Sequence, residues 1–200
     1  MTIAENQETL DIFSDNGLWT GTASRADVHR LGLWHQTFHA WIVTETDGTP
    51  LVWFQRRSMK KQQYPGMWDI TVAGHLLCGE QPVDGLREIE EELGIVPSVE
   101  PQYLAMVRDE IVMDTFVDRE MCHVFKIYED LRGKTSEINQ EEVQELAFVS
   151  LAEAILWAAG KIPHMMLQQE PQGSLIRVDF SAMVPHTMEY YQKTLEMLSA

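Results

Sequence analysis

The sequence predicts an α+β domain, an α/β/α layered arrangement in which a mixed central sheet is covered by helices. Three observations point there. Runs rich in β-branched and aromatic residues recur between residues 38 and 149, helical periodicity occupies residues 83–93, and the segment from about residue 150 to 200 reads as helical. The 200-residue chain is 44% hydrophobic, with six Trp and seven Phe, which suffices for one sizeable core. No repeat or Ser/Gly/Pro linker divides it, so a single domain over residues 1–200 is expected.

Ser24 offers the cap of a short helix that ends near Gly32. Phe38 to Thr44 and Leu51 to Arg57 are β-rich runs joined by Thr46-Asp47-Gly48-Thr49, a hairpin signal. Met67 to Ala73 reads as another strand and is followed by a glycine-punctuated loop. Val83 to Leu93 has helical spacing, with Gly94 placed to stop it. Tyr103 to Met113 and Arg119 to Tyr128 read as a second strand pair, and Glu145 to Val149 as a last short strand. In the tail, Met188, Tyr191, Leu195 and Leu198 recur at three- and four-residue spacing, giving a helix with one apolar face. Met165, Met166, Met183, Met188 and Met197 read as adaptable core filling, and Trp34, Trp41, Trp53 and Trp68 as core residues.

Fifteen basic residues stand against 31 acidic ones, a formal charge of −16 that repels nucleic-acid polymers and anionic lipid. Bound cations and a few placed Lys or Arg side chains reverse that sign locally, so a small phosphorylated partner is compatible with it. Cys78 and Cys122 follow no metal-ligand spacing and fit free thiols in a reducing compartment. Met1 to Leu10 carries Glu5 and Glu8 and lacks the basic and apolar regions of a signal peptide, and no run of 18 apolar residues occurs. A cytoplasmic protein without a membrane partner is expected; a homodimer is compatible with the sequence, which does not fix the oligomeric state.

Glu88, Glu91 and Glu92 stand at i, i+3 and i+4, so a helix sets all three on one face beside the apolar stripe of Leu86, Ile89 and Leu93. Their mutual repulsion, a few tenths of a kcal/mol per pair, becomes useful when hard cations such as Mg²⁺ or Mn²⁺ sit among the oxygens. Arg87, four residues before Glu91, is placed to brace that carboxylate. Acidic runs usually just face water. Here, however, Arg, Glu, apolar, any, Glu, Glu, any, Gly, apolar come in an order expected by chance about once in 10⁵ chains of this length.

This stretch resembles the Nudix box: Gly, five residues, Glu, seven residues, then that ordered run. Gly74 and Glu80 match its opening, and Arg87 to Ile95 match its second half, so the box covers about residues 74–95. Only six residues, Gln81 to Leu86, separate Glu80 from Arg87, so the pattern alone does not pair those two side chains. Gly85 falls inside the expected helix at a cost of about 1 kcal/mol relative to Ala. The resemblance implies the Nudix α/β/α sandwich and Mg²⁺- or Mn²⁺-dependent cleavage of a small nucleoside- or isoprenoid-diphosphate-type substrate. It also implies that Glu91 and Glu92 bind metal, that Glu88 is a ligand or the base that activates water with Arg87 beside it, and that the Ala73 carbonyl is a further ligand.

Val28 to His35, Arg56 to Lys61, Tyr64 to Asp69 and Gly74-His75 are similar to the Nudix branch containing isopentenyl diphosphate isomerase and its hydrolase relatives, over roughly Leu10 to Val149. That resemblance places His29, His35, His75, Asp118 and Glu120 in a second metal site. It also places Arg57 and Lys61 at diphosphate-contacting positions, where a solvated surface pair is an equally good reading. The isomerases carry a Cys immediately before Gly-His for proton transfer at carbon. Ala73 stands there in this chain, so only the Glu120 half of that acid–base pair is present, and hydrolysis is the expected reaction, with Glu120 as an extra ligand or base. Isomerisation is the alternative reading. A catalytically idle nucleotide-binding regulator, prompted by the shortened Glu80 to Arg87 spacing, is the third.

Overall fold

In the computed structural model, which describes residues 8–113 and 116–199, strand β3 (Trp34–Thr46) is the hub of a mixed sheet. The N-terminal stretch that carries Glu5 lies outside the described residues. Before β3, β1 (Thr9–Phe13) and β2 (Trp19–Ser24) form a hairpin that the sequence reading did not anticipate, and Ser24 then starts helix α1 (Arg25–Leu31). The Ser24 hydroxyl accepts from the Asp27 N–H, and Gly32 closes α1 in the left-handed region at φ 61°, as expected for these two residues. Strand β4 (Thr49–Arg57) follows β3 through the expected tight turn. Strand β8 (Val117–Tyr128) runs parallel to β3 from Trp34↔Arg119 to Val43↔Tyr128, and β7 (Gln102–Val112) pairs antiparallel outside it. On the far side β4 pairs with β9 (Val143–Ser150).

The expected strand from Met67 to Ala73 is two strands. β5 (Trp68–Ile70) pairs with β4, whereas β6 (Val72–His75) pairs with β3. Thr71 makes the switch: its hydroxyl donates to the Trp53 carbonyl at 2.6 Å and accepts from the Ile42 N–H at 3.0 Å, so one side chain ties the bend to both neighbours. The switch delivers Ala73, Gly74 and His75 to one end of β3.

The two faces of the pleat build two cores. Phe38, Ala40 and Ile42 point to the side covered by α2 (Arg87–Leu93), together with Trp53, Ile89 and Phe125. Trp41 and Val43 point to the side covered by α3 (Leu151–Ala158) and α4 (Met188–Met197), together with Trp157, Tyr190 and Leu195. This is the α/β/α sandwich. Trp41, Trp53 and Trp68 are buried, whereas Trp34 is half-buried under the Arg108 guanidinium, 5.0 Å from its ring.

Two expectations change. The helix expected from Val83 begins later: Pro82–Leu86 is a 3-10 turn, and α2 starts at Arg87. Gly85 lies against Phe38 there, and a Cβ on it would come within 2.4 Å of the Phe38 Cβ. The tail beyond residue 150, expected to be helical, also contains a hairpin, β10 (His164–Glu170) with β11 (Leu175–Asp179), that extends the sheet from β9. Its residues alternate with period two: Met165 and Leu167 are buried while Met166 between them is exposed, a pattern no helix face can bury. Among the described residues no helix is long and apolar enough to cross a membrane.

Candidate active site

The segment from β6 to α2 folds so that Gly74, His75, Arg87, Glu88, Glu91 and Glu92 meet at one pocket of about 450 Å³. Gly74 faces Glu88 so closely that a Cβ would sit 2.1 Å from the Glu88 carboxyl carbon. Arg87 is held from the loop side: Nε donates to Glu80 Oε1 at 3.0 Å and Nη2 to Glu80 Oε2 at 3.2 Å and to the His75 carbonyl at 2.9 Å. Its Nη1 donates to Glu88 and lies 3.5 Å from Glu91 Oε2. Glu80 therefore reaches Arg87 despite the shorter spacing, which removes the motive for the idle-regulator reading. Burial raises the Glu88 carboxyl to about 7 although Arg87 opposes the shift, and burial pushes buried Glu92 up as well, with Glu88 adding to it. Glu92 accepts from Gln55 Nε2 at 3.1 Å, and Glu91 is half exposed.

Opposite this carboxylate end, His29 and His35 approach His75, with ring centroids 5.1 Å from it in each case. His29 Nε2 and His35 Nε2 each lie 3.6 Å from Asp118 Oδ1. His35 Nδ1 donates to the Leu33 carbonyl at 3.1 Å, and burial lowers this imidazole to about 4, so Nε2 is left with a free lone pair. Burial, with Arg25 next in weight, also lowers His75 well below the usual range. His35 Nε2 and Asp118 Oδ1 are buried and meet no hydrogen-bond partner, so a cation between them fits the donor set. Among the described residues, the groups whose ligand atoms all lie within 4.8 Å of one another include His29–His35–His75 and His35–Asp118–Glu120. The Glu88–Glu91–Glu92 trio is not among these groups, and Glu120 clusters with histidines rather than with the box carboxylates.

A rim of cations closes the pocket. Arg57 and Lys61 both line it, Arg57 in an ion pair with Asp69 at 3.0 Å and Lys61 in one with Glu142; Arg25 lies beside them.

Residues 33–168, more than half of the chain, match the NUDIX domain model. The chain belongs to the Nudix family. It is 31% identical to an uncharacterised Nudix hydrolase of Clostridium acetobutylicum, over 96% of this chain and 97% of that one. It is 32% identical to the isopentenyl-diphosphate Delta-isomerase of Streptomyces griseus, over 72% of each chain. The crystal structure of DR0079 from Deinococcus radiodurans superposes with a TM-score of 0.61 at 17% identity, over 94% of this chain and 99% of that one, and shows the same fold. The chain is thus a Nudix hydrolase by family, within a branch that also resembles the isomerases.

Within this Nudix pocket the sequence reading missed a polar floor. His186, delivered by the tail, lies between Asp109 (2.7 Å) and Asp69 (3.4 Å); burial pulls it down, but the hydrogen bonds to these carboxylates raise it to about 10. His39 is bonded to Tyr190 of α4 at 2.6 Å, and burial lowers it to about 3. One signal was present: His35, Thr37 and His39 alternate along a strand and so share a face. Nothing local in the sequence announced His186 or Tyr190, whose partners are more than 70 residues distant. Ala73 lines the pocket beside Gly74, and Cys122, although its Sγ lies 3.6 Å from Glu120, is fully buried and does not line it.

Proposed function

We propose that this Nudix hydrolase cleaves the diphosphate linkage of a small nucleoside- or isoprenoid-diphosphate-type substrate with the help of Mg²⁺ or Mn²⁺. The observation that carries the reading is the clamp at the box: Arg87 fixed by Glu80 and the His75 carbonyl, with Glu88 pressed against Gly74 and directed into the pocket. In this reading Glu88, Glu91 and Glu92, with the Ala73 carbonyl, hold divalent metal; Glu120, which lies with the histidines instead of the box carboxylates, serves as a base or as a ligand on the histidine side. The cation supplies neutralisation of the diphosphate oxygens and a more acidic water. Arg57 and Lys61 bind and orient the diphosphate, which draws them partly away from Asp69 and Glu142. Glu88 Oε accepts the proton of the attacking water, and Arg87 keeps that carboxylate aligned. His29, His35, His75 and Asp118 form a second cation site, to which His35 Nε2 and Asp118 Oδ1 bring the orphaned atoms described above. Two free cysteines suit a reducing, cytoplasmic setting.

A panel of nucleoside and isoprenoid diphosphates tested with Mg²⁺ and with Mn²⁺ is expected to release phosphate or a monophosphate. Glu92→Gln is expected to be nearly inactive, and activity equal to the parent's would overturn the assignment. The isomerase reading rests on Glu120 and on the similarity to isopentenyl-diphosphate Delta-isomerase. Ala73 weighs against it, because the pocket-lining position beside Gly74 has no proton to give and Cys122 lies outside the lining. Deuterium exchange into isopentenyl diphosphate in heavy water would restore that reading.

A further inference from the structure

We infer that His39 and Cys122, together with Glu120, form a further binding site for a borderline transition metal such as Zn²⁺ or Co²⁺ at the floor of the pocket. The parallel pairing of β3 with β8 places His35 beside Glu120 and Thr37 beside Cys122, so alternate residues of both strands build one polar column on the sheet face covered by α4. In that column Glu120 Oε2 lies 3.6 Å from His39 Nε2 and 3.6 Å from Cys122 Sγ, and the three ligand atoms all lie within 4.8 Å of one another. Tetrahedral Zn²⁺ with nitrogen, oxygen and sulfur donors separates its ligand atoms by about 3.4–3.6 Å. The spacing fits.

The contacts are poor as plain hydrogen bonds. Among the described residues, the hydrogen bond that Glu120 Oε2 accepts comes from a thiol, a weak donor, and the His39 nitrogen lies beyond hydrogen-bond length, yet the residue is buried. Burying a carboxylate with such partners is costly, and a divalent cation offsets that cost directly. His39 is prepared as a ligand: the tautomer that donates from Nδ1 to the Tyr190 oxygen at 2.6 Å leaves the Nε2 lone pair facing Glu120. Thr37, His39 and Glu120 line the pocket, and Ala73 pairs with His39 across β3 and β6, so the fourth coordination position opens toward the cavity. As the metal–sulfur bond forms, the Cys122 thiol loses its proton to solvent. This ligand set shares Glu120 with the His35–Asp118–Glu120 group but takes its nitrogen and sulfur donors from His39 and Cys122, which belong to no other such group among the described residues, and the inference does not rest on the hydrolase reading.

The test uses the Cys78→Ser protein, because Cys78 is exposed and is the only other cysteine in the sequence. After chelator treatment, titration with Co²⁺ is expected to give thiolate-to-cobalt charge-transfer absorption in the near ultraviolet, which Cys122 alone can supply. Zn²⁺ is expected to displace it. Tyr190→Phe in that background is expected to weaken cobalt binding about 10- to 100-fold, and His35→Asn and Glu91→Gln are expected to keep the band. Absence of the band from the Cys78→Ser protein overturns the site without needing any change at the buried cluster. Loss of the band on His35→Asn or Glu91→Gln, with the fold intact by circular dichroism, overturns it too. Diphosphate hydrolysis measured on the same protein with Mg²⁺ succeeds or fails independently.

Discussion

The guanidinium of Arg87 is shared among Glu80, Glu88, Glu91 and the His75 carbonyl. Glu80 also accepts from the Leu77 N–H at 2.7 Å, so the same carboxylate shapes the loop and anchors the arginine. Glu80→Gln keeps the shape and removes the charge; the expected loss is about 1 kcal/mol in urea denaturation. Its kcat is expected to fall several-fold with KM little changed, since Arg87 aligns Glu88 rather than the substrate. Gly74→Ala tests the other side of Glu88. A methyl group 2.1 Å from the Glu88 carboxyl carbon must push that side chain out of place, so kcat/KM is expected to drop at least tenfold while thermal stability changes little. The carboxylates of this clamp were legible in sequence because helical spacing alone puts Glu88, Glu91 and Glu92 on one face, and all three line the pocket. The Glu80–Arg87 contact was not legible, because counting residues assumed one rise per residue. Five residues of 3-10 turn at about 2.0 Å rise, in place of about 1.5 Å in an α-helix, recover about 2.5 Å, which offsets the missing residue.

That turn also decides an element-scale question. Helix propensity alone favours Gly85→Ala by about 1 kcal/mol. The structure argues for the opposite sign, because the added Cβ would meet Phe38 Cβ at 2.4 Å and overpacking of this kind costs about 1–3 kcal/mol. Denaturant melts of Gly85→Ala should therefore show net destabilisation; a gain in stability would mean that the turn relaxes into a helix at that position. The strands of the middle were legible because their hydrophobic runs and the Asp47-Gly48 turn are local signals. The break at Thr71 and the β10–β11 hairpin were not. Thr71 switches partners because β3 and β4 diverge on either side of it, and β10 is a strand because β9 offers an edge next to a buried slot for Met165 and Leu167. Both causes lie far away in sequence.

At the scale of the molecule, the tail shares its core and several hydrogen bonds with the elements that build the pocket. Tyr190 bonds His39, Thr187 and His186 bond Asp109, and the buried Lys126 ammonium donates to the Leu198 carbonyl at 2.6 Å, so α4 is tied to β3, β7 and β8 by polar contacts as well as by packing. The apolar cluster that holds Trp41 and Phe54 of the sheet also holds Trp157 of α3 and Tyr191 and Leu195 of α4. A tail docked only as an appendage would unfold first, and its loss would leave the sheet signal unchanged. A shared core predicts one transition. Leu195→Ala, at a fully buried position, is expected to cost about 2–5 kcal/mol. Followed by tryptophan fluorescence and by far-ultraviolet circular dichroism, parent and variant should each give coincident denaturation curves, the variant's shifted to lower urea by the same amount in both. An early transition confined to one probe would separate the tail from the sheet and would detach His186 and Tyr190 from the functional site.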